Sequence, residues 1–474
     1  MPGVVAAGHP ESAEAGAAVL REGGNAVDAA VAAVFASFAV ESPLTGLGAG
    51  GFMLVHDGER PTLLDFFVAA PGLDGTPRAA ELTPVEVVFD AETVQTFYVG
   101  PVSCGVPGTP AGLVEALRRF GSMPPAELVR PAIRLAREGA PVNHEQAYIL
   151  RILEPIHRRL PGTRELYAPA GRTLREGEVF RFEELAVALE RFAAEGEAPF
   201  YRGEVAAALS DFVVAHGGTL GPGDLAAYTT IERSPVRVGF RGAEVLTNPP
   251  PSAGGTLIAH SMDVLEGLGP TSGPEQLVAA MDAANEHRAD LLGSTTHISV
   301  LDGGGMCAAV TCSNGSGSGV LVPGTGVILN NMLGEEDLNP GGFHRIPPGR
   351  RVTSMMAPTV VRRGGEIVLA VGSAGSNRIR SAILQTVVRV VEQGMGPAEA
   401  IAAPRLHSEG GVVQAEPGID EAALARLEAR GVTVARRPEI NLFFGGVQAV
   451  ARDPRTGVLS GGGDPRRGGA VAYA

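Results

Sequence analysis

The chain of 474 residues contains no lysine: its 38 basic side chains are all arginine, set against 52 acidic ones, for a net charge of −14. An acidic surface without a basic stripe argues against nucleic acid as a partner. The arginine-only usage fits a GC-rich coding bias, and no function is assigned to it. Only three cysteines are present, Cys104, Cys307 and Cys312, and neither their number nor their spacing makes a disulfide framework or a zinc site. They are expected as buried free thiols. No apolar run reaches the roughly 18 to 20 residues that cross a bilayer. The longest candidate, Ala26 to Val40, carries Asp28 and is expected as a buried helix, so no membrane partner is expected. The opening Met1-Pro2-Gly3 leads to His9-Pro10-Glu11-Ser12 without the basic and apolar regions of a signal peptide. A cytoplasmic location is expected, or a periplasmic or secreted one if the start is misassigned. The ten histidines include no i, i+4 pair with acidic support, so neither a metal nor a cofactor is expected.

What the sequence has in quantity is apolar bulk and glycine, with 45% hydrophobic residues, 65 Gly and 36 Pro. No collagen-like period accompanies the glycine, and this apolar content excludes a disordered chain. Length alone suggests about three domains. Without a repeat, a linker or a compositional break, one large α+β core is the better expectation. Helices are predicted over Ser12–Glu22 and Ala26–Val40, separated by Gly23-Gly24-Asn25, with Asn25 capping the second. Further helices are expected over 111–120, 125–138, 183–194, 256–268, 275–292 and 381–393. Short strands divided by glycine turns are expected over 52–56, 296–301, 306–312, 327–329, 359–361 and 367–371, with more after Val412.

Three motifs could carry chemistry. Gly46, Gly48 and Gly51 spell G-x-G-x-x-G, but a helix precedes them and a strand follows, the reverse of the dinucleotide-binding order. A tight turn lying close to other chain is expected instead. No G-x-S-x-G elbow follows a strand, which weakens an α/β-hydrolase reading. Last comes Ser294-Thr295-Thr296-His297-Ile298-Ser299-Val300, a hydroxyl-rich strand start. Two threonines there ordinarily express β-propensity. The chemical alternative is a threonine made N-terminal by cleavage, whose own α-amine serves as its base.

These blocks, taken together, resemble the γ-glutamyltranspeptidase family of N-terminal-nucleophile hydrolases along essentially the whole chain. The matching stretches keep the family's order. They are Gly23-Gly24-Asn25-Ala26-Val27-Asp28-Ala29-Ala30, Gly48-Ala49-Gly50-Gly51-Phe52-Met53-Leu54, Val106-Pro107-Gly108 and Pro249-Pro250-Pro251-Ser252-Ala253-Gly254-Gly255. Thr295 to Val300, Pro323-Gly324-Thr325-Gly326, Leu329-Asn330-Asn331, Ala357-Pro358-Thr359, Gly372-Ser373 and Asp464-Pro465-Arg466 follow. The resemblance implies a four-layer αββα sandwich and a precursor that cuts itself between Ser294 and Thr295. It implies fragments 1–294 and 295–474 that stay associated in one intertwined domain, with a small-molecule amide as substrate. Thr295 would be the nucleophile and Ser313 a second hydroxyl polarising it. Gly375 and Ser376 would supply the oxyanion hole; Asn314, Glu335 and Ser354 would bind substrate.

Departures from the family pattern bear on specificity. Where the family places a glutamate-binding arginine after an Asp-Phe pair, this chain has Asp65-Phe66-Phe67. Met355 replaces a second carboxylate-binding serine, Met332 stands at a glutamine position, and Glu336 and Asp337 compete with Glu335 for the role of binding an α-ammonium. Losing an Arg–carboxylate contact removes a strong charge-assisted anchor. Arg351 or Arg378 could replace it from elsewhere. Three readings stay open at this point: a γ-glutamyl enzyme, an acylase or biosynthetic enzyme for a less charged acyl group, and a non-catalytic homologue.

Overall fold

A computed structural model describes residues 2–90, 93–286 and 295–474. Two antiparallel sheets form its centre. The first runs in the order Ala470–Tyr473, Gly3–Ala7, Thr296–Asp302, Cys307–Ser313, Gly50–His56, Pro61–Phe66 and Ile231–Arg233. The second runs Leu459–Gly463, Gly446–Arg452, Glu366–Ala374, Thr359–Arg363, Ala243–Thr247 and Val236–Phe240. Phe52, Leu54 and Leu63 of one sheet meet Leu246, Val360, Ala370 and Val450 of the other in a shared apolar layer. Helices Pro10–Arg21 and Ala26–Val40 cover the outer face of the first sheet, and Ala253–Gly267 and Arg378–Val391 that of the second. This is the expected four-layer α+β sandwich, because each sheet has two apolar faces to bury.

The helix Ala26–Val40 is buried at every position. Asn25 caps it by accepting from the Val27 and Asp28 amides, while Asp28 accepts from the Asn25 amide. Its many alanines let it lie close on the sheet. Both of its ends are tied to the strand Thr296–Asp302: the Ala26 amide donates to Asp302 Oδ2 at 3.0 Å, and Glu41, just past the last turn, accepts from Thr296 Oγ1 at 2.6 Å.

The turn at 46–51 is the close approach anticipated for it. A Cβ on Gly48 would lie 2.1 Å from the Ile328 carbonyl oxygen. The strand expected over 296–301 gains one residue, that over 306–312 shifts by one to Cys307–Ser313, and that over 367–371 lengthens to Glu366–Ala374. Other expectations shift more. The predicted helix 125–138 is two, Pro125–Leu128 and Arg130–Glu138, broken where Pro131 lacks an amide hydrogen. The helix expected from 275 runs over Pro274–Asn285, with Leu277 and Met281 packed toward the helix Ala253–Gly267 and Val278 against Leu406 and Val413 of a separate small sheet; of the rest of its expected span, 287–292 lie outside the described residues. The three cysteines are buried free thiols. Among the described residues no helix is long and apolar enough to cross a membrane.

Replacing Gly48 by alanine should force the turn and the 327–329 segment apart. A loss of about 1–3 kcal/mol is expected in denaturant unfolding; an unchanged midpoint would contradict the close-packed role.

Candidate active site

Thr295 immediately precedes the strand Thr296–Asp302, in the middle of the first sheet. The ladder pairs Thr296 with Cys312, so one residue further back Thr295 faces Ser313. Both line a small cavity together with Phe67, Gly315, Met332, Asp337, Leu338, Ser354, Met355, Met356, Ser376 and Ile379. These walls leave about 20 Å³, room for roughly one water. Thr295 and Ser313 are buried, and Ser313 Oγ accepts the Gly315 amide at 2.8 Å. Ser294 lies outside the described residues, as does the cleavage junction it would form with Thr295.

Across the cavity, the strand Glu366–Ala374 ends in Gly375 and Ser376, and the helix Arg378–Val391 begins. Gly375 has φ +116°, and a Cβ there would come 2.6 Å from Gly445 Cα, so only glycine fits. Ser376 also sits at positive φ, +61°, an unusual conformation for a residue with a side chain. Such a turn at the end of a strand is where backbone amides can be aimed at a developing oxyanion.

The Phe67 side of the cavity is apolar. Phe67 stacks on Phe52 at 5.4 Å between ring centroids, and Tyr228 Oη donates to its carbonyl. Met332, Met355, Met356, Leu338 and Ile379 complete that wall. Ser354 sits among them; its Oγ accepts the Met356 amide, and its carbonyl receives the Ala253 amide and Ser252 Oγ from the proline-rich turn. That turn, a rigid lead into a helix, therefore braces this wall of the cavity.

Among the described residues no arginine lines the cavity. Arg351 is committed elsewhere: its Nε donates to Asp65 at 3.2 Å, its Nη2 to the carbonyls of Asp65 and Thr229, and its guanidinium lies 4.4 Å over the Tyr228 ring. Asp65 is fully buried, holds Arg233 as well and accepts the Phe67 amide. Arg378 donates to the Phe443 carbonyl and stacks on that ring.

Of the three competing acids, Asp337 is the one on the cavity wall. Glu335 lies beneath it and accepts the Ser316 amide at 2.8 Å. Burial raises both carboxyls, and the proximity of Glu335 pushes Asp337 further up, well above the usual range. Asn314, between two lining residues, is buried with both side-chain amide atoms unpartnered among the described residues.

Sequence reasoning passed over Glu41. It is buried beside the start of the strand Thr296–Asp302, accepts from Thr296 Oγ1 at 2.6 Å and from Ser12 Oγ at 3.2 Å, and feels the charge of Arg467. Burial outweighs these favourable contacts and lifts its carboxyl to about 7. The one sequence signal was an acid wedged between apolar stretches at 26–40 and 43–47.

With this geometry in place, comparison with known proteins decides the family. The γ-glutamyltranspeptidase family model matches residues 12–293 and 275–474. The chain belongs to the γ-glutamyltranspeptidase family. It is thus an enzyme of the N-terminal-nucleophile hydrolase class. The chain is 34% identical over 97% of its length to the acylase ACY 1 proenzyme of Pseudomonas sp. (strain SE83), spanning 91% of that protein. It is 30% identical over 98% of its length to the glutathione hydrolase proenzyme of Escherichia coli (strain K12), spanning 90% of it. Among solved structures, the cephalosporin acylase from Bacillus halodurans superposes with a TM-score of 0.87 at 28% identity, over 99% of this chain and 95% of that one.

The raised carboxyl of Glu41 has a sign. With an unfolded value near 4.5 and a folded value of about 7, the folded chain holds the extra proton between those two limits. Its contribution favours folding at the acidic end and is lost as pH rises through about 7. Glu41→Gln should flatten the decline in unfolding free energy between pH 4.5 and 7; an identical decline would contradict the burial of an ionisable group there.

Proposed function

We propose that this family member is a self-processing amidohydrolase and acyltransferase with Thr295 as nucleophile, acting on an acyl group less charged than γ-glutamyl. Thr295 Oγ adds to the Ser294 carbonyl carbon, the Ser294–Thr295 C–N bond breaks, and the 294 acyl group passes to Oγ as an ester. Water cleaves the ester, leaving residues 1–294 and 295–474 as two associated fragments. Thr295 Oγ then adds to a substrate amide carbonyl while its α-amine takes the proton and returns it to the leaving amine. The amides at Gly375 and Ser376 stabilise the tetrahedral oxyanion, and Ser313 polarises the nucleophile. Water or an amine acceptor releases the acyl group.

The observation that carries the acyl preference is the commitment of Arg351 to Asp65 behind a wall of Phe67, Met332 and Met355. A γ-glutamyl α-carboxylate would be desolvated there without a cationic partner. The acylase relatives agree with this chemistry. The rival reading, γ-glutamyl specificity with Arg378 as clamp, draws on the nearness of that guanidinium to Asp337, whose carboxyl it acts to lower.

Denaturing electrophoresis of the purified protein should show two unequal fragments, and Thr295→Ala should remain one band and lose activity by at least ~10³-fold. A cut, active Thr295→Ala would refute the assignment. Activity of the processed enzyme should fall as pH drops through the range of the Thr295 amine, ordinarily about 7.7–8.0; a flat profile down to about pH 5 would contradict that base. Apolar acyl p-nitroanilides should exceed γ-glutamyl-p-nitroanilide in kcat/KM by roughly 10- to 100-fold, the worth of one charge-assisted anchor. Preference for the γ-glutamyl compound would decide for the rival reading.

A further inference from the structure

The buried carboxyl at the end of the helix Ala26–Val40 has no place in the mechanism above, yet it touches the residue next to the nucleophile. Glu41 accepts from Thr296 Oγ1 at 2.6 Å and from Ser12 Oγ at 3.2 Å, all three being buried. At the opposite end of the same helix, Asp302 Oδ2 receives the Ala26 amide at 3.0 Å. The helix is therefore fastened to the first and last residues of one strand, Thr296–Asp302. Their lengths match: 15 helical residues at about 1.5 Å each give ~22 Å, and 7 strand residues at about 3.3 Å each give ~23 Å.

We propose that Glu41 is a positioning residue for Thr295, holding Thr296 through its hydroxyl so that the helix Ala26–Val40 fixes where the nucleophile strand begins. The proposal rests on Thr295 being the nucleophile. Among the described residues the ladder's pairs begin at Thr296, one residue after Thr295, so the backbone direction of Thr295 follows from that neighbour. Fixing Thr296 confines Thr295 Oγ to one approach on the 294 carbonyl before cleavage, and one approach on the substrate amide afterwards. Misplacement by even about 1 Å is enough to cost on the order of 10²-fold in such a site. Each carboxyl oxygen of Glu41 is held by one hydroxyl, Ser12 Oγ on Oε1 and Thr296 Oγ1 on Oε2.

Thr296→Val keeps the side chain's shape and deletes the hydroxyl. The variant should self-cleave roughly 10- to 100-fold more slowly, with kcat of the processed fraction falling by a similar factor and KM within about twofold. Thr296→Ser should restore both rates, and Glu41→Leu should reproduce the Val defect. Cleavage and kcat in Thr296→Val indistinguishable from the parent would overturn the proposal, as would a defect that serine fails to rescue. Thr295→Ala is run alongside: should it still cut and turn over, the nucleophile assignment fails, whereas an inert Thr295→Ala beside an unaffected Thr296→Val removes only the role of Glu41.

Discussion

The rest of the structure depends on where one strand sits. Thr296–Asp302 is hydrogen-bonded on one side to Gly3–Ala7 and on the other to Cys307–Ser313. Its neighbours therefore come from the far N-terminus and from the segment just after it, while Ala470–Tyr473 from the C-terminus pairs outside Gly3–Ala7. A break in the chain just before this strand would leave every one of those ladders intact. The sheet, not chain continuity, would hold the two pieces together, with the apolar layer between the sheets adding to it. That is the physical condition for a residue in mid-sequence to become an N-terminus without loss of the fold.

Placement of the strand also fixes the chemistry around it. Register sets Ser313 opposite Thr295, the second sheet brings its strand end at 374–376 across the cavity, and the proline-rich turn presses Ser354 and Met355 into the wall. The charged groups that might have bound an anionic acyl group are spent on structure. Asp65 draws two arginines, Arg233 and Arg351, behind Phe67, and a buried set of Arg405, Glu416, Asp464 and Arg466 ties the C-terminal turn together. Breaking such a set by removing one partner would leave an uncompensated buried charge, so these arginines are not available for binding.

Much of this was legible in the sequence where local chemistry was strong. The capped, all-apolar helix at 26–40 stood out, as did the glycine turn at 46–51 and the hydroxyl-rich strand start at 295. Ordered blocks then identified the sandwich. What stayed hidden depends on distance along the chain. Glu41 and Thr296 are 255 residues apart, so no spacing rule joins them. Similarly, Arg351 reads as a possible substrate clamp until Asp65, 286 residues away, is seen to hold it. The choice among Glu335, Glu336 and Asp337 turned on a short 3-10 segment, Glu336–Leu338, whose direction no periodicity announces. The strand Val236–Phe240 was missed because its alternate exposed positions disguise an edge strand of the second sheet.

Every step assigned to Thr295 requires that it become an N-terminus. Intact-mass measurement and N-terminal sequencing of the smaller fragment, made on protein purified with protease inhibitors, test it most directly. Processing by this route yields a smaller fragment that begins at Thr295 and carries a free amine. A fragment beginning at any other residue, or a chain that remains whole while hydrolysing amides, would contradict it.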